Sequence, residues 1–299
     1  VAEPSPSLTA ETALRTAART AAEFSWSYLD AHILGPVGEN ASALLPREQL
    51  VLRICAGSSY DRARRELRLA RWLHDSDVPA VQAVNGMDGP LLREGWAITV
   101  WKYVPGVRPA SPDVIGTVLR RLHELKDPPD TELPSLDPLD GTEDYIDQSY
   151  LEPGEKSFLR HRLDRLRNAY VHLEPVLPPG PVHGDAHRKN IVQDQNGKPV
   201  VLDLERFSNG LREWDLVVAA VYERLGWYTA AEYAGFVTAY GWDVREWSEF
   251  ETMAAVRELR MTAWLCARTG REPHLLPEAR SRIASLDQAC GLKRWQPGT

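Results

Sequence analysis

Val182-His183-Gly184-Asp185-Ala186-His187-Arg188-Lys189-Asn190-Ile191 is the stretch on which the reading of this 299-residue chain turns. Eighteen residues past Asp185 a second acid, Asp203, lies in the apolar run Pro199-Val200-Val201-Leu202-Asp203-Leu204-Glu205. An Asp, an amide five residues on and a further carboxylate behind a strand suit phosphoryl transfer. One carboxylate orients the attacking hydroxyl and accepts its proton; the amide and the other carboxylate hold Mg²⁺ against the phosphates. Asp185 is therefore the candidate catalytic residue, with Asn190 and Asp203 as candidate metal ligands. At average residue usage, His-Gly-Asp-x4-Asn arises by chance in roughly one chain in a thousand of this length.

The spacing matches the kinase catalytic loop, His-x-Asp-x-x-x-x-Asn, with Gly184 where protein kinases carry Arg. HGDAHRKN followed by VLDLE resembles the aminoglycoside phosphotransferase and choline kinase group, which shares the protein-kinase-like fold. The resemblance implies an α+β, two-lobed chain: an N-terminal antiparallel sheet lobe over residues 1–101 and a helical lobe over 102–299, with a hinge at about 101–104. It further implies ATP and Mg²⁺ in the cleft and a small-molecule hydroxyl as acceptor. Asp203-Leu204-Glu205 resembles the Asp-Phe-Glu of choline-kinase-like members, which brings Glu205 near the metals; a strand-end carboxylate paired with Arg206 or Arg188 is the competing reading. The likeness covers nearly the whole chain in outline, but only residues 182–216 carry specific motifs.

Upstream, Leu8 to Glu23 has a helical pattern opened by Ser7 as a possible cap, and Trp26–Leu29 and Ala31–Leu34 look strand-like. The turn-rich Gly35–Ser42 segment follows, where the resembled fold covers the nucleotide phosphates. Gly38, Asn40 and Ser42 are candidates there, because small residues let backbone N–H groups approach phosphate oxygens; a plain hairpin turn fits the residues equally. The strand Gln49–Cys55 carries Arg53 where protein kinases have Lys, and the helix Tyr60–His74 offers Glu66 as its ion-pair partner. Arg keeps the charge but prefers bidentate partners, so the substitution changes geometry. Two more strands are expected around Gln82–Val84 and Trp96–Tyr103, separated by turns at Asn85-Gly86 and Asp88-Gly89. The second resembles the family's hinge, which makes Trp101 and Tyr103 candidate adenine contacts.

Beyond the hinge the chain reads as helices. Ser111-Pro112-Asp113 opens the first, as cap and first position. Further helices are expected over Asp144–Leu151, Glu155–Leu173, Glu213 onward, Ala230–Tyr240, Val244–Cys266 and Leu276–Leu292. Asp215, in Trp214-Asp215-Leu216, reads as a cap or loop anchor and not as a catalytic group.

Composition bounds the rest. With 43% hydrophobic and 26% charged residues the chain is an ordinary globular one, long enough for two cores. No apolar run reaches the eighteen or so residues of a membrane helix, and the start lacks a signal-peptide layout. Cys55, Cys266 and Cys290 are odd in number and scattered, which suits reduced thiols in the cytoplasm. No Walker A pattern and no Gly-x-Ser-x-Gly elbow occur. The net charge of -7 speaks against nucleic acid as a partner and suits a cationic acceptor, such as an aminoglycoside-like antibiotic or amino sugar. Simple solubility explains the same charge. Choline, ethanolamine, homoserine or a sugar are the other acceptors the resemblance allows. A protein kinase is disfavoured, because Asp-Leu-Glu replaces Asp-Phe-Gly and no Ala-Pro-Glu follows. A non-catalytic pseudokinase is disfavoured by the intact Asp185, Asn190 and Asp203. Monomer and homodimer stay open.

Overall fold

The structure is a computed structural model that describes residues 8–128, 131–286 and 294–297. Its helices are α1 Ala10–Glu23, α2 Tyr60–Asp75, α3 Pro112–His123, α4 Thr142–Gln148, α5 Pro153–Tyr170, α6 Glu213–Arg224, α7 Ala230–Tyr240, α8 Phe250–Arg268 and α9 Leu276–Leu286. Its strands are β1 His32–Ile33, β2 Asn40–Leu45, β3 Leu50–Ala56, β4 Leu91–Arg93, β5 Trp96–Lys102, β6 Arg108–Pro109, β7 Gly180–Val182, β8 Ile191–Gln193, β9 Pro199–Val201 and β10 Ser208–Gly210. These elements form two compact units. One takes the described residues of Val1–Pro109, Pro128–Glu132 and Asn190–Glu205; the other takes those of Ala110–Asp127, Leu133–Lys189 and Arg206–Thr299.

The first unit is built on a five-stranded sheet of order β1-β2-β3-β5-β4, with antiparallel neighbours throughout. β5 is buried along all but its last residue, as a central strand must be, and its neighbour β3 buries Leu52, Ile54 and Cys55. Register sets Ser42 opposite Arg53 and Arg53 opposite Thr99, and Val51 opposite Trp101. With a side-chain period of two, Asn40, Ser42, Arg53, Thr99 and Trp101 all belong to one face of the sheet. α2 buries Ala63, Leu67, Ala70 and Leu73 at helical spacing, and Glu66 is buried in the same set. A small sheet of order β6-β8-β9 completes this unit and carries Asn190 and Asp203 at its ends.

Local chemistry explains where the elements depart from expectation. α1 is capped by Thr9, whose hydroxyl accepts the Thr12 N–H at 3.1 Å; Ser7, the expected cap, lies outside the described residues. The strands expected over residues 26–34 shrink to β1, because Ser25 and Asp30 take positive φ (57° and 63°), which breaks an extended run. Gln82–Val84 forms only a single bridge, Ala83 to Trp101. The unanticipated β4 joins β5 through Glu94 and Gly95, both left-handed (φ 49° and 82°). Ser111 makes no side-chain cap bond, and Pro112 opens α3 as expected.

The second unit is helical around α8, which buries Val256, Arg257, Glu258, Leu259 and Arg260 in one unbroken turn and a half. α4, α5, α6 and α9 pack on it, while α3 packs on α7. That last contact is close enough that a Cβ on Gly116 would meet the Phe236 carbonyl oxygen at 2.6 Å. β7 and β10 pair antiparallel and bracket the Asp185 loop in sequence. Among the described residues no helix is long and apolar enough to cross a membrane. Cys55 and Cys266 are free and buried; Cys290 lies outside the described residues.

Candidate active site

Asp185 follows β7 on a loop whose shape is set by one buried acid. Asp215, only 1% exposed near the start of α6, accepts the His183 N–H at 2.7 Å and the Gly184 N–H at 3.0 Å. His123 from α3 adds a third contact to Asp215 at 3.2 Å and is itself tied to the Tyr240 hydroxyl at 2.9 Å. The Trp214 indole donates to the Gly184 carbonyl at 2.8 Å. The anchor role read from the sequence for Asp215 is thus visible bond by bond. Gly184 has φ 82°, and a Cβ there would meet the Arg206 carbonyl oxygen at 2.3 Å. No other residue type fits, so the Arg of protein kinases has no place in this loop.

The Asp185 carboxylate is 29% exposed and pairs with Arg257 of α8 at 3.0 Å and with His187 at 3.4 Å. Burial by itself raises this carboxyl, but Arg257 and His187 overcome it and hold the group well below the usual carboxylate range. It is therefore ionised and able to accept a hydrogen bond from a hydroxyl. Asp185 lines a cavity of about 950 Å³ whose walls also include Arg188, Arg206, Tyr222, Arg260 and Trp264. All of the lining belongs to the second unit.

In the first unit the expected Arg53–Glu66 pair forms at 2.7 Å. Arg53 also reaches Glu205 at 2.9 Å and Asp203 at 3.6 Å. Glu205 accepts from Arg62 at 2.7 Å and from the Asn40 amide at 3.1 Å. Arg62 also reaches Glu39 at 3.7 Å, so two arginines face four carboxylates. The proton demand falls on the most buried one: Glu66 is pushed up to about 7 by burial, with Glu205 and Asp203 adding to the rise against Arg53. Arg53 is itself buried, which lowers it, yet Glu66, Asp203 and Glu205 more than restore it and its net shift is upward.

Glu205 accepts from Arg62 on Oε1 and from Arg53 and Asn40 on Oε2, so the residue expected beside the metal is also the hub of an ion-pair network. Asp203 remains open, with its side chain 48% exposed, and takes a left-handed φ of 53°, uncommon outside glycine. Asn190 is buried, and its carbonyl accepts the Leu202 N–H at 2.7 Å, which ties the two expected ligands into one turn. A carboxylate and an amide oxygen are hard donors that suit Mg²⁺, which binds through one or two carboxylates and keeps several waters.

The remaining expected residues are spread along the sheet. Ser42 lies inside β2 and not in the loop before it, and its carbonyl accepts the Leu34 N–H at 2.8 Å. The Gly38 N–H closes the hairpin on the Asn40 carbonyl at 3.1 Å. Trp101 is buried with its indole N–H on Thr99, and the Tyr103 N–H donates to the Gln49 carbonyl at 2.8 Å. Sequence reading missed Arg62 and Arg257. Arg257 stands 72 residues from its partner in a helix of ordinary composition, so no local signal marks it. Glu251 and Glu258 of α8 pair with Arg224 at 2.6 and 3.5 Å and do not line the cavity.

Comparison with known proteins places these features. The antiparallel sheet unit and the α8-centred helical unit are the two lobes of a kinase-like fold, and three solved structures share it. The aminopropanol kinase associated with a microcompartment superposes with a TM-score of 0.68 at 19% identity, over 91% of this chain and 95% of that one. An aminoglycoside phosphotransferase from Streptomyces rimosus gives 0.62 at 17% identity, over 84% and 99%. A choline/ethanolamine kinase family protein from Mesorhizobium loti gives 0.60 at 20% identity, over 91% and 93%. No curated protein matches the sequence. Fold and loop together define a small-molecule phosphotransferase. Residues 39–259 match the phosphotransferase enzyme family, and the chain belongs to it.

Proposed function

We propose that this enzyme transfers the γ-phosphoryl group of ATP to a hydroxyl of a small molecule, with Asp185 as the catalytic residue. The observation that carries this reading is Asp185, paired with Arg257 at 3.0 Å and lining a cavity of about 950 Å³, on a loop fixed by Asp215. Asp185 orients the acceptor hydroxyl. As its oxygen bonds to the γ-phosphorus, the bond to the β,γ-bridging oxygen breaks and leaves with its electron pair on ADP. The hydroxyl proton passes to Asp185 and then to water. Because the transition state is loose, positioning contributes more than base strength.

The nucleotide belongs to residues 1–101 in this proposal, and the catalytic and acceptor groups to 102–299, with 101–104 as the hinge. Arg53, held by Glu66, steadies the non-transferred phosphates, and Gly38, Asn40 and Ser42 line their path. The Lys102 and Tyr103 N–H groups are already bonded to Gln82 and Gln49, so an adenine edge meets carbonyl oxygens in this stretch. Asp203 and Asn190 are the residues we assign to Mg²⁺, which supplies charge screening for the phosphates. Glu205, linked to Asp203 through Arg53, is placed near the metal in this proposal while it also holds Arg62 and Asn40.

Solved relatives act on different acceptors, among them an aminopropanol kinase and a spectinomycin phosphotransferase, and support the small-molecule class without choosing within it. An aminoglycoside-like or amino-sugar acceptor asks for several carboxylates around its ammonium groups. Among the described residues the cavity lining offers one, Asp185, already paired with Arg257.

The test is ADP release from MgATP across acceptors of each class, run beside Asp185→Asn. We expect turnover with at least one acceptor and a loss of roughly a hundred- to ten-thousand-fold in kcat in the variant. Turnover that persists in Asp185→Asn would mean another residue takes the proton.

A further inference from the structure

The charge of the acceptor cavity is the reverse of the charge of the chain. Over the whole sequence acids outnumber Lys and Arg by 42 to 35, yet among the 21 described residues lining the cavity eight are Lys or Arg and one is an acid. Three of the eight are spoken for: Arg257 by Asp185, Arg224 by Glu251 and Glu258, and Arg282 by Glu278. The other five, Arg188, Lys189, Arg206, Arg260 and Arg294, have no carboxylate within 4 Å among the described residues. Arg260 is 7% exposed and is held by two neutral carbonyls, those of Pro138 and Asp140 at 2.8 and 2.9 Å. Its guanidinium is depressed to about 10 by burial and by the cations of Arg206 and Arg257. The buried Nε atoms of Arg188 and Arg257 lack hydrogen-bond partners. Crowded, half-desolvated cations are unfavourable unless something negative joins them, so the apo cavity is poised for an anion.

A transferring phosphoryl group answers for a cation beside Asp185, where Arg257 stands. It does not answer for five more spread as far as Arg294. Between them lie Trp227, Trp264 and Trp295, broad apolar faces suited to a ring or a hydrocarbon body. From this placement, and resting on the reading of the Asp185 cavity as the acceptor site, we infer that the acceptor is an anion: a hydroxyl compound that also bears a phosphate or carboxylate group, seated by Arg206, Arg260 and Arg188. This takes the place of the cationic acceptor suggested by net charge. Net charge sums the whole surface, whereas recognition depends on the few residues that touch the ligand.

Calorimetric titration tests it, with matched probes: glucose, glucosamine, glucuronate, glucose 6-phosphate, kanamycin and inorganic pyrophosphate. Each is titrated into the enzyme alone and into enzyme saturated with Mg²⁺ and a non-hydrolysable ATP analogue, so that nucleotide phosphates fill their own place in the second series. We expect at least one of glucuronate, glucose 6-phosphate and pyrophosphate to bind tenfold or more tightly than glucose and glucosamine in both series. That preference should fall about tenfold in Arg206→Gln and again in Arg206→Gln/Arg294→Gln, with thermal midpoints unchanged. If no negatively charged probe outbinds glucose, or if glucosamine or kanamycin binds best, the inference is wrong. An anion preference seen only without nucleotide would show that the cluster binds nucleotide phosphate, and would overturn it too. Failure of the enzyme to bind the ATP analogue, by contrast, would count against the kinase reading and leave the first series as an independent measure of the cavity.

Discussion

Asp185 and Glu66 show how two carboxylates of one enzyme are driven in opposite directions by their neighbours. Asp185 is held low by Arg257 and His187 against its burial. A carboxyl with a depressed folded-state pKa contributes stability that is present above its unfolded value near about 3.9 and is lost as pH falls further. In Arg257→Leu, burial, which raises the group, is opposed by His187 alone. We therefore expect the acid limb of the kcat/KM profile for ADP release to move to higher pH in this variant. Breaking the pair should also cost about 2 kcal/mol, less than a sealed pair because Asp185 opens to the cavity. An unmoved acid limb would show that Asp185 is not the ionising group. Glu66 is the reverse case, pushed up to about 7. Its folded state holds the proton more tightly than the unfolded chain, so stability falls as pH rises from about 4.5 to about 7. Glu66→Gln should flatten that part of a denaturation-midpoint profile and weaken nucleotide binding, because Arg53 loses its nearest support. A profile with the same slope as the unaltered enzyme would contradict the raised value.

At the scale of elements, one loop is held by groups from three helices. Asp215 in α6 receives two backbone N–H groups of the Asp185 loop and a ring nitrogen of His123 in α3, which in turn bonds Tyr240 of α7. Asp215→Ala strands two buried N–H donors at about 1–3 kcal/mol each. With roughly 2–4 °C per kcal/mol for a chain of this size, the thermal midpoint should drop by on the order of 10 °C. ADP release should fall further than the loss of folded protein explains. Full activity in the folded fraction would mean that the loop keeps its shape without the anchor. Gly184→Ala attacks the same loop from its backbone, where a left-handed φ and the Arg206 carbonyl leave no room for a methyl group. It should lose activity even where circular dichroism shows native helix content. The β3–α2 pairing is a second device of this kind: a sheet residue and a buried helix residue, Arg53 and Glu66, lock α2 to the sheet through one 2.7 Å contact.

For the whole molecule, the consequence of the proposed chemistry is linkage between metal, nucleotide and folding. MgATP at a hundred times its Kd should stabilise the enzyme by about 2.7 kcal/mol. A chelator, or Asp203→Ala, should remove most of that gain, and differential scanning fluorimetry reads it directly. Equal stabilisation by ATP with and without Mg²⁺ would argue against Asp203 and Asn190 as metal ligands. Much of this architecture was legible in the chain. The catalytic stretch, the Arg53 strand, the Glu66 helix and the Asp215 anchor rest on short, local patterns, where backbone geometry and residue type act over a few positions. The periodicity of α2 placed Glu66 correctly, because one helix face is determined by residues three and four apart. The misses share a cause as well. Residues 26–34 lost their strands to two left-handed residues that no apolar pattern announces. The partners of Glu205 were not legible either, because Arg62 and Asn40 come to it from 143 and 165 residues away. By itself the sequence determined the family and the reaction class and pointed to Asp185 as the proposed catalytic group, since those depend on which groups follow one another along a loop. Only the tertiary structure decided which charges surround that Asp. Arg257 and Arg260 of α8 meet Arg206, some fifty residues earlier in the chain, at one cavity, and the sign of a cavity is a sum over neighbours in space that no sum over the sequence can stand in for.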